Sequence, residues 1–251
     1  MLGIIGGTGL YELAGDWETV VASTPYGEIE AYAGELGGAE TIFLPRHGRG
    51  HTVPPHLVNY RGNITALQVL GCRQVLAFNA VGSLLPGLEP GAFCLAEQFL
   101  DFTCTRARSL FEPPEVRHVD VTEPYCVELR RALSEAAVEL GGEPLPEVVY
   151  VCTEGPRFET AAEIRMFAQL GGGVVGMTGV PEVVFAREAE LCYASLCLVC
   201  NWGAGMEPGH RLYAGEVTEL VNQRLGEVQR LLEGAARRLG GESACECGPG
   251  L

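Results

Sequence analysis

Three of the chain's five histidines and three of its arginines fall within one short window, RHGRGHTVPPHLVNYRGN, where Arg46, His47, Arg49, His51, His56 and Arg61 crowd together. Histidine brings a proton acceptor near neutral pH, and arginine a planar cationic fork matched to carboxylate or phosphate. The window reads as a cationic pocket for an oxyanion, or as histidines capping turns in a Pro-rich loop. A second group, Gly6-Gly7-Thr8-Gly9 in IIGGTG, directly follows an apolar run. Its glycines let backbone N–H groups point at an anion, and Thr8 adds a hydroxyl. A plain tight turn explains the same residues. The spacing is not GxGxxG, and the lysine of a P-loop is missing.

Four further apolar runs end in small or polar residues: FNAVGSL (Phe78–Leu84), EGPRFET (Glu154–Thr160), GMTGVPE (Gly176–Glu182) and CNWGAG (Cys200–Gly205). Small residues at the carboxyl end of a strand open the crevice where α/β proteins bind ligands. Phe158 and Glu159 have the chemistry to stack on a ring and to accept from it. With the two glycine- and arginine-bearing ends, six strand ends point to one shared crevice.

Those ends require strands, and the pattern supplies them. Short apolar runs predict strands at Leu2–Ile5, Thr41–Leu44, Gln74–Asn79, Phe93–Leu95, Val148–Val151, Val174–Met177 and Ala194–Cys200. Amphipathic stretches predict helices at Asn59–Leu70, Glu123–Leu140, Thr160–Leu170, Pro181–Ala189 and Ala214–Leu239. Thr160 with Glu163 forms a capping-box signature. Alternating strands and helices predict an α/β sandwich with a mostly parallel or mixed sheet, one domain over residues 1–240, with a short C-terminal tail from 241 to 251. Asp101–His118 fits neither template and reads as an ordered loop.

Composition narrows the function classes. A net charge of −15 disfavours nucleic acid and anionic membrane as partners. No apolar run reaches the ~20 residues of a membrane span. The chain opens directly on MLGIIGGTGL without a basic n-region or cleavage site, so a cytoplasmic location is expected. The ten cysteines stand mostly alone in apolar runs, as Cys192, Cys197 and Cys200 do, and read as reduced and buried. No CxxC meets a second CxxC or an HxxxH at ligand spacing, so no metal is expected. Cys245 and Cys247, in the tail's CEC, read as a disordered end or as a redox staple.

The motifs GIIGGTGL, RHGRGHTVPPHLVNYRGNI, EGPRFET, VGMTGVPEVVFARE and LCYASLCLVCN together resemble the methylthioadenosine phosphorylase branch of the trimeric purine nucleoside phosphorylases. The likeness runs from about Leu2 to Leu232. It implies a nucleoside phosphorylase-like fold, a single-domain αβα sandwich around a mixed β-sheet, with a homotrimer or a hexamer of two trimers, and phosphorolysis of a purine nucleoside. It places phosphate against Thr8, Arg46, His47, Ala80 and Thr178 with Asn79 nearby, and ribose against Met177. The purine would meet Ala80, Val81, Gly82, Phe158, Glu159, Val175, Gly176 and Asn201, with Gly203 beside it. His118 would reach a neighbour's active site. Arg46, His47 and Asn201 would carry the catalysis, with inorganic phosphate as co-substrate and no cofactor.

The departures from that family pattern concern specificity. Adenine-type members typically carry T-D-x-D where this chain reads Cys200-Asn201-Trp202-Gly203, and Ser-Ser where it reads Glu159-Thr160. An Asn amide both donates to a 6-oxo group and accepts from N7–H. A carboxylate accepts the N1–H that hypoxanthine and guanine carry and adenine lacks. Inosine-cleaving relatives often place a His on the last helix, where this chain reads Ala214-Gly215-Glu216-Val217, which leaves room for a methylthio group. The combination resembles the methylthioinosine phosphorylases of the family. An inosine/guanosine phosphorylase, a methylthioadenosine phosphorylase and a non-catalytic nucleotide- or phosphate-binding module are the alternatives. A requirement of base release for phosphate separates the last from the enzymes.

Overall fold

The computed structural model describes residues 1–239 together with Cys245 and Cys247. The rest of the expected tail lies outside the described residues. Nine strands and five α-helices follow one another as β1 (Leu2–Gly6), β2 (Glu18–Thr24), β3 (Gly27–Leu36), β4 (Ala39–Pro45), α1 (Tyr60–Val69), β5 (Gln74–Ser83), β6 (Phe93–Phe102), α2 (Val127–Glu139), β7 (Glu147–Thr153), α3 (Ala161–Gln169), β8 (Val174–Gly176), α4 (Gly179–Glu188), β9 (Cys192–Trp202) and α5 (Ala214–Ala236) among the described residues.

Strands β5 and β9 are apolar on both faces, as central strands must be when helices cover both sides. They pair in parallel from Gln74↔Cys192 onward. Alternate residues of β5 enter different cores, as period-two geometry requires. Val75 and Ala77 pack with Ile64 and Leu67 of α1 and Val183 and Phe185 of α4. Leu76 and Phe78 pack with Leu129 and Leu133 of α2 and Val228 and Leu232 of α5. These two cores are the outer interfaces of the expected αβα sandwich around a mixed sheet.

Strands β1, β4, β5 and β9 run parallel, so their carboxyl ends share one edge. Near that edge β5 changes partner. Its register with β9 shifts between Val81 and Gly82, and Gly82 and Ser83 pair antiparallel with Val175 and Val174 of β8. Since β8 pairs β7, β7 pairs β6 and β6 pairs β9, the five strands close into a ring. The sheet is thus open at its β2 side and closed at the other.

All seven expected strands and all five expected helices are present, with shifted ends. The sequence reading missed β2 and β3, an antiparallel edge pair that is half exposed and rich in Glu and Thr. Asp101 and Phe102 finish β6, so the ordered loop begins at Thr103. Helix α2 starts at Val127, later than expected, behind Pro124.

Candidate active site

The six strand ends do meet. They surround a cavity of about 610 Å³. The β1 turn contributes Thr8, the β4 end contributes Arg46 and His47, and β5 contributes Asn79 to Gly82. Phe158 and Glu159 come from the β7–α3 connection, Val175 to Thr178 from β8 and its exit, and Asn201 from the end of β9. Ala214, Val217 and Thr218 of the first turns of α5 form part of the wall.

The turn after β1 is glycine for reasons of space. A Cβ at Gly7 would sit 2.4 Å from the Phe78 carbonyl oxygen and 2.8 Å from Arg46 Nη1. One at Gly9, where φ is +84°, would sit 2.3 Å from Val221 of α5. The turn is therefore pressed between Arg46 and the last helix, and Thr8 is carried into the cavity wall.

Arg46 departs from expectation. Its fork does not stand free for an oxyanion. Nε and Nη2 each donate to a Glu182 carboxylate oxygen at 2.6 Å, and Nη1 donates to the Phe78 carbonyl at 3.0 Å. Both side chains are wholly shielded from solvent. Tyr193 donates a further bond to Glu182 at 2.7 Å. A buried guanidinium must be paired to be tolerated. Burial works against its charge, and Glu182 more than offsets this, so Arg46 stays cationic. What reaches the cavity from this sealed side chain is its charge.

His47 Nδ1 lies 2.8 Å from the Val53 carbonyl. A carbonyl only accepts, so Nδ1 carries the proton, and Nε2 of the neutral ring is an acceptor. Burial, followed by the Arg46 charge, pushes the imidazole down to about 3 despite the bond to Val53. The His51 ring lies 4.5 Å from that of His47, and Tyr11 lies 5.9 Å beyond it. The Thr178 hydroxyl donates to Asn79 Oδ1 at 2.9 Å, and Asn79 Nδ2 donates to Ser195 at 2.7 Å. Asn79 thus holds Thr178 in place from below.

A second polar group lies around Gly82. A Cβ there would sit 3.0 Å from Asn201 Nδ2 and 3.3 Å from Val175, so glycine makes room for the amide. Asn201 Nδ2 donates to the Trp202 carbonyl at 2.7 Å, which leaves its carbonyl oxygen and one N–H for a ligand. Glu159 is buried, and the Thr153 hydroxyl donates to it at 2.6 Å. Burial raises its carboxyl above the usual value. The rest of the wall, including Val81, Phe158, Val175 and Met177, is apolar.

A cavity that joins a glycine turn bearing Thr8, a neutral histidine and a hydrogen-bonding niche has polar groups at two separate ends. The phosphorylase superfamily model matches residues 1–237. The chain belongs to that superfamily. It is 46% identical over 256 residues to the 6-oxopurine nucleoside phosphorylase of Pyrococcus furiosus, covering 98% of this chain and 96% of that one. It is 50% identical over 251 residues to a probable S-methyl-5′-thioinosine phosphorylase of Methanothermobacter thermautotrophicus, covering 98% and 87%. Among solved structures, the methylthioadenosine phosphorylase of Schistosoma mansoni in complex with adenine superposes with a TM-score of 0.88 at 33% identity, covering 96% of this chain and 92% of that one.

Two expected residues of this phosphorylase stand apart from the cavity. Gly203 packs behind it, where a Cβ would meet Ile164 and Leu84, and its N–H donates to the Ser83 carbonyl at 2.8 Å. His118 is exposed and lines no part of this chain's own cavity.

Two residues escaped the sequence reading. Glu182 closes the GMTGVPE motif without a role assigned to it there, and only the fold carries it to Arg46. Arg106 lies in the loop after β6, yet it is buried and donates to the carbonyls of Met177 at 2.7 Å, Glu154 at 2.9 Å and Thr153 at 3.2 Å. It pins the loop to the ends of β7 and β8. TCTRAR carries no periodic signal that singles it out.

Metal-ligand spacing also hid a grouping. Cys126, Cys192, Cys245 and Cys247, remote in sequence, bring their sulfurs within 4.8 Å of one another. The reading of the cysteines as solitary does not hold for Cys126 and Cys192, which meet the two of the CEC tail.

Proposed function

We propose that the protein cleaves 6-oxopurine nucleosides with inorganic phosphate, and that S-methyl-5′-thioinosine is its preferred substrate. The products would be hypoxanthine and S-methyl-5-thioribose 1-phosphate. The observation that carries this reading is the placement of Glu159 and Asn201 in the same cavity as Thr8, His47 and Thr178. The names of the two curated relatives support it.

Phosphate would sit against Thr8, His47, Thr178 and the Ala80 backbone. The neutral His47 accepts from a protonated phosphate oxygen and so orients the dianion without neutralising it. Leaving of the purine places positive charge on the ribosyl ring, and the phosphate stabilises that charge before it attacks C1′. Positioning of this kind is worth up to about 7–11 kcal/mol in favourable cases. Asn201 accepts from N7–H as the base leaves, and Glu159 accepts from N1–H. Arg46 acts through its charge. Met177 lies against the ribose. This chemistry calls on no metal or cofactor in the active site.

The apolar Ala214 and Val217 in the cavity wall favour a methylthio group over a hydroxyl. A homotrimer or a hexamer would let His118 complete a neighbour's site, and cytoplasmic small-molecule salvage agrees with a chain in which no described helix is long and apolar enough to cross a membrane.

The test is base release from methylthioinosine, inosine and methylthioadenosine, with and without phosphate. Phosphate-dependent cleavage led by methylthioinosine is expected. Leadership by inosine would remove the 5′ argument, leadership by methylthioadenosine would remove the base argument, and release without phosphate would make the protein a hydrolase.

A further inference from the structure

Two buried polar side chains interrupt the otherwise apolar central strands. Strand β9 reads CYASLCLVCNW, and Ser195, its one aliphatic hydroxyl, is wholly buried. Strand β5 reads QVLAFNAVGS, and Asn79 follows its apolar run from Val75 to Phe78, also buried. In the parallel register Ala77 stands opposite Ser195 and Asn79 opposite Cys197. The Asn79 amide therefore reaches back along its neighbour to donate to Ser195 Oγ at 2.7 Å, while its Oδ1 accepts from the Thr178 hydroxyl at 2.9 Å.

We propose that Ser195, which does not line the cavity, is a positioning residue for the attacking phosphate: it orients the Asn79 amide and, through it, the Thr178 hydroxyl. The inference rests on the placement of phosphate against Thr178 in the proposed reaction.

The start of α4 explains why Thr178 needs this support. A threonine at a helix N-cap normally turns its side chain onto the backbone N–H two or three residues on. Thr178 is the N-cap residue of α4 and makes no such bond. The Val180 N–H donates to the Cys152 sulfur at 3.3 Å, and Pro181 has no N–H. The helix cannot hold the hydroxyl, so the sheet does.

The two ends of an amide are not equivalent, since Oδ1 only accepts and Nδ2 only donates. With an apolar residue behind it, either end of Asn79 would be free to face Thr178. The Ser195 oxygen takes Nδ2, and Cys197 Sγ, 3.4 Å from that oxygen, offers the hydroxyl proton a place. Oδ1 is the end left for Thr178. Burying an amide and a hydroxyl in the middle of a sheet is costly unless each is paired, and a paired network is rigid. Alanine or valine would pack at both positions without that cost, so the pair is a supporting layer beneath the phosphate contact.

The experiment compares Ser195→Ala, Thr178→Val and the double variant in the full chain. Steady-state kinetics are varied in phosphate and in nucleoside, and inorganic phosphate is titrated calorimetrically without nucleoside. Each single variant should raise the KM and Kd for phosphate about 3- to 10-fold, the size of one ordinary hydrogen bond, with the nucleoside KM unchanged. Residues that act through one path are not additive, so the double variant should bind phosphate no worse than Thr178→Val alone. Multiplied effects in the double variant, or equal changes in both KM values for Ser195→Ala, would overturn the proposal. If Ser195→Ala does not fold, Ser195→Cys, close in size and only a weak acceptor, is read in the same way. A chain that binds phosphate with the expected pattern yet cleaves no nucleoside would refute the proposed reaction and leave Ser195 its role. A chain that binds no phosphate would overturn both.

Discussion

Arg46 and Glu182, 136 residues apart in sequence, form two 2.6 Å hydrogen bonds with no solvent on either side chain. The pair joins the β4 end to α4 beneath the cavity and fixes the guanidinium against Phe78. Removing one partner of a buried pair typically costs about 3–5 kcal/mol. Glu182→Gln should therefore lower stability by about that much and raise the KM for phosphate. The paired change Arg46→Met/Glu182→Leu should recover most of the stability and none of the activity. Denaturant titration with phosphate kinetics checks both, and full activity in the paired variant would remove Arg46 from catalysis.

The proposed base choice rests on Asn201 and Glu159. Asn201→Asp should shift preference toward adenine-type nucleosides, and Glu159→Gln should reduce kcat/KM for 6-oxopurines by up to about 10⁴-fold. Because burial raises the Glu159 carboxyl, activity on 6-oxopurines should fall as pH descends through that raised value. Unchanged base ratios in both variants would show that recognition lies elsewhere.

His47 should make the fold sensitive to acid. Its folded-state value is pushed down to about 3, below the ordinary value of about 6.5 for an unfolded chain. Between these values the unfolded chain binds a proton that the native chain does not, so stability falls as pH falls. From about pH 6.5 to about pH 5 this one group accounts for about 2 kcal/mol. His47→Gln should flatten that part of the stability profile by one proton, and an unaltered slope would mean that His47 is not held neutral.

Arg106 holds the loop that begins at Thr103. Arg106→Met leaves the carbonyls of Met177, Glu154 and Thr153 without their donor, at a cost of about 1–3 kcal/mol per orphaned group. Because these carbonyls flank the β8 exit, KM for the nucleoside should rise more than KM for phosphate. Equal changes in the two constants would assign Arg106 a purely structural role.

The sequence made the sandwich legible because β5 and β9 are long apolar runs whose alternate residues feed two different cores. The edge strands β2 and β3 were not legible, because strands that face water lack such a pattern. The strand-end motifs located nearly the whole cavity wall. What they could not show were partners brought together only by topology: Glu182 against Arg46, Thr153 against Glu159, and Cys126 against Cys192. Such pairs have no spacing in sequence, since each is made by two elements that meet after folding.

The change of partner at Val81 and Gly82 has a consequence for the ligands. Asn79 and Ala80, at the proposed phosphate end, precede the shift together with Val81, and Gly82 follows it, beside Asn201. Three residue steps of extended chain span about 10 Å. One strand therefore acts as a gauge: its backbone sets the distance between nucleophile and leaving group. Altered side chains can change which base or which 5′ group is accepted, while the separation of the two reacting partners remains a property of the main chain.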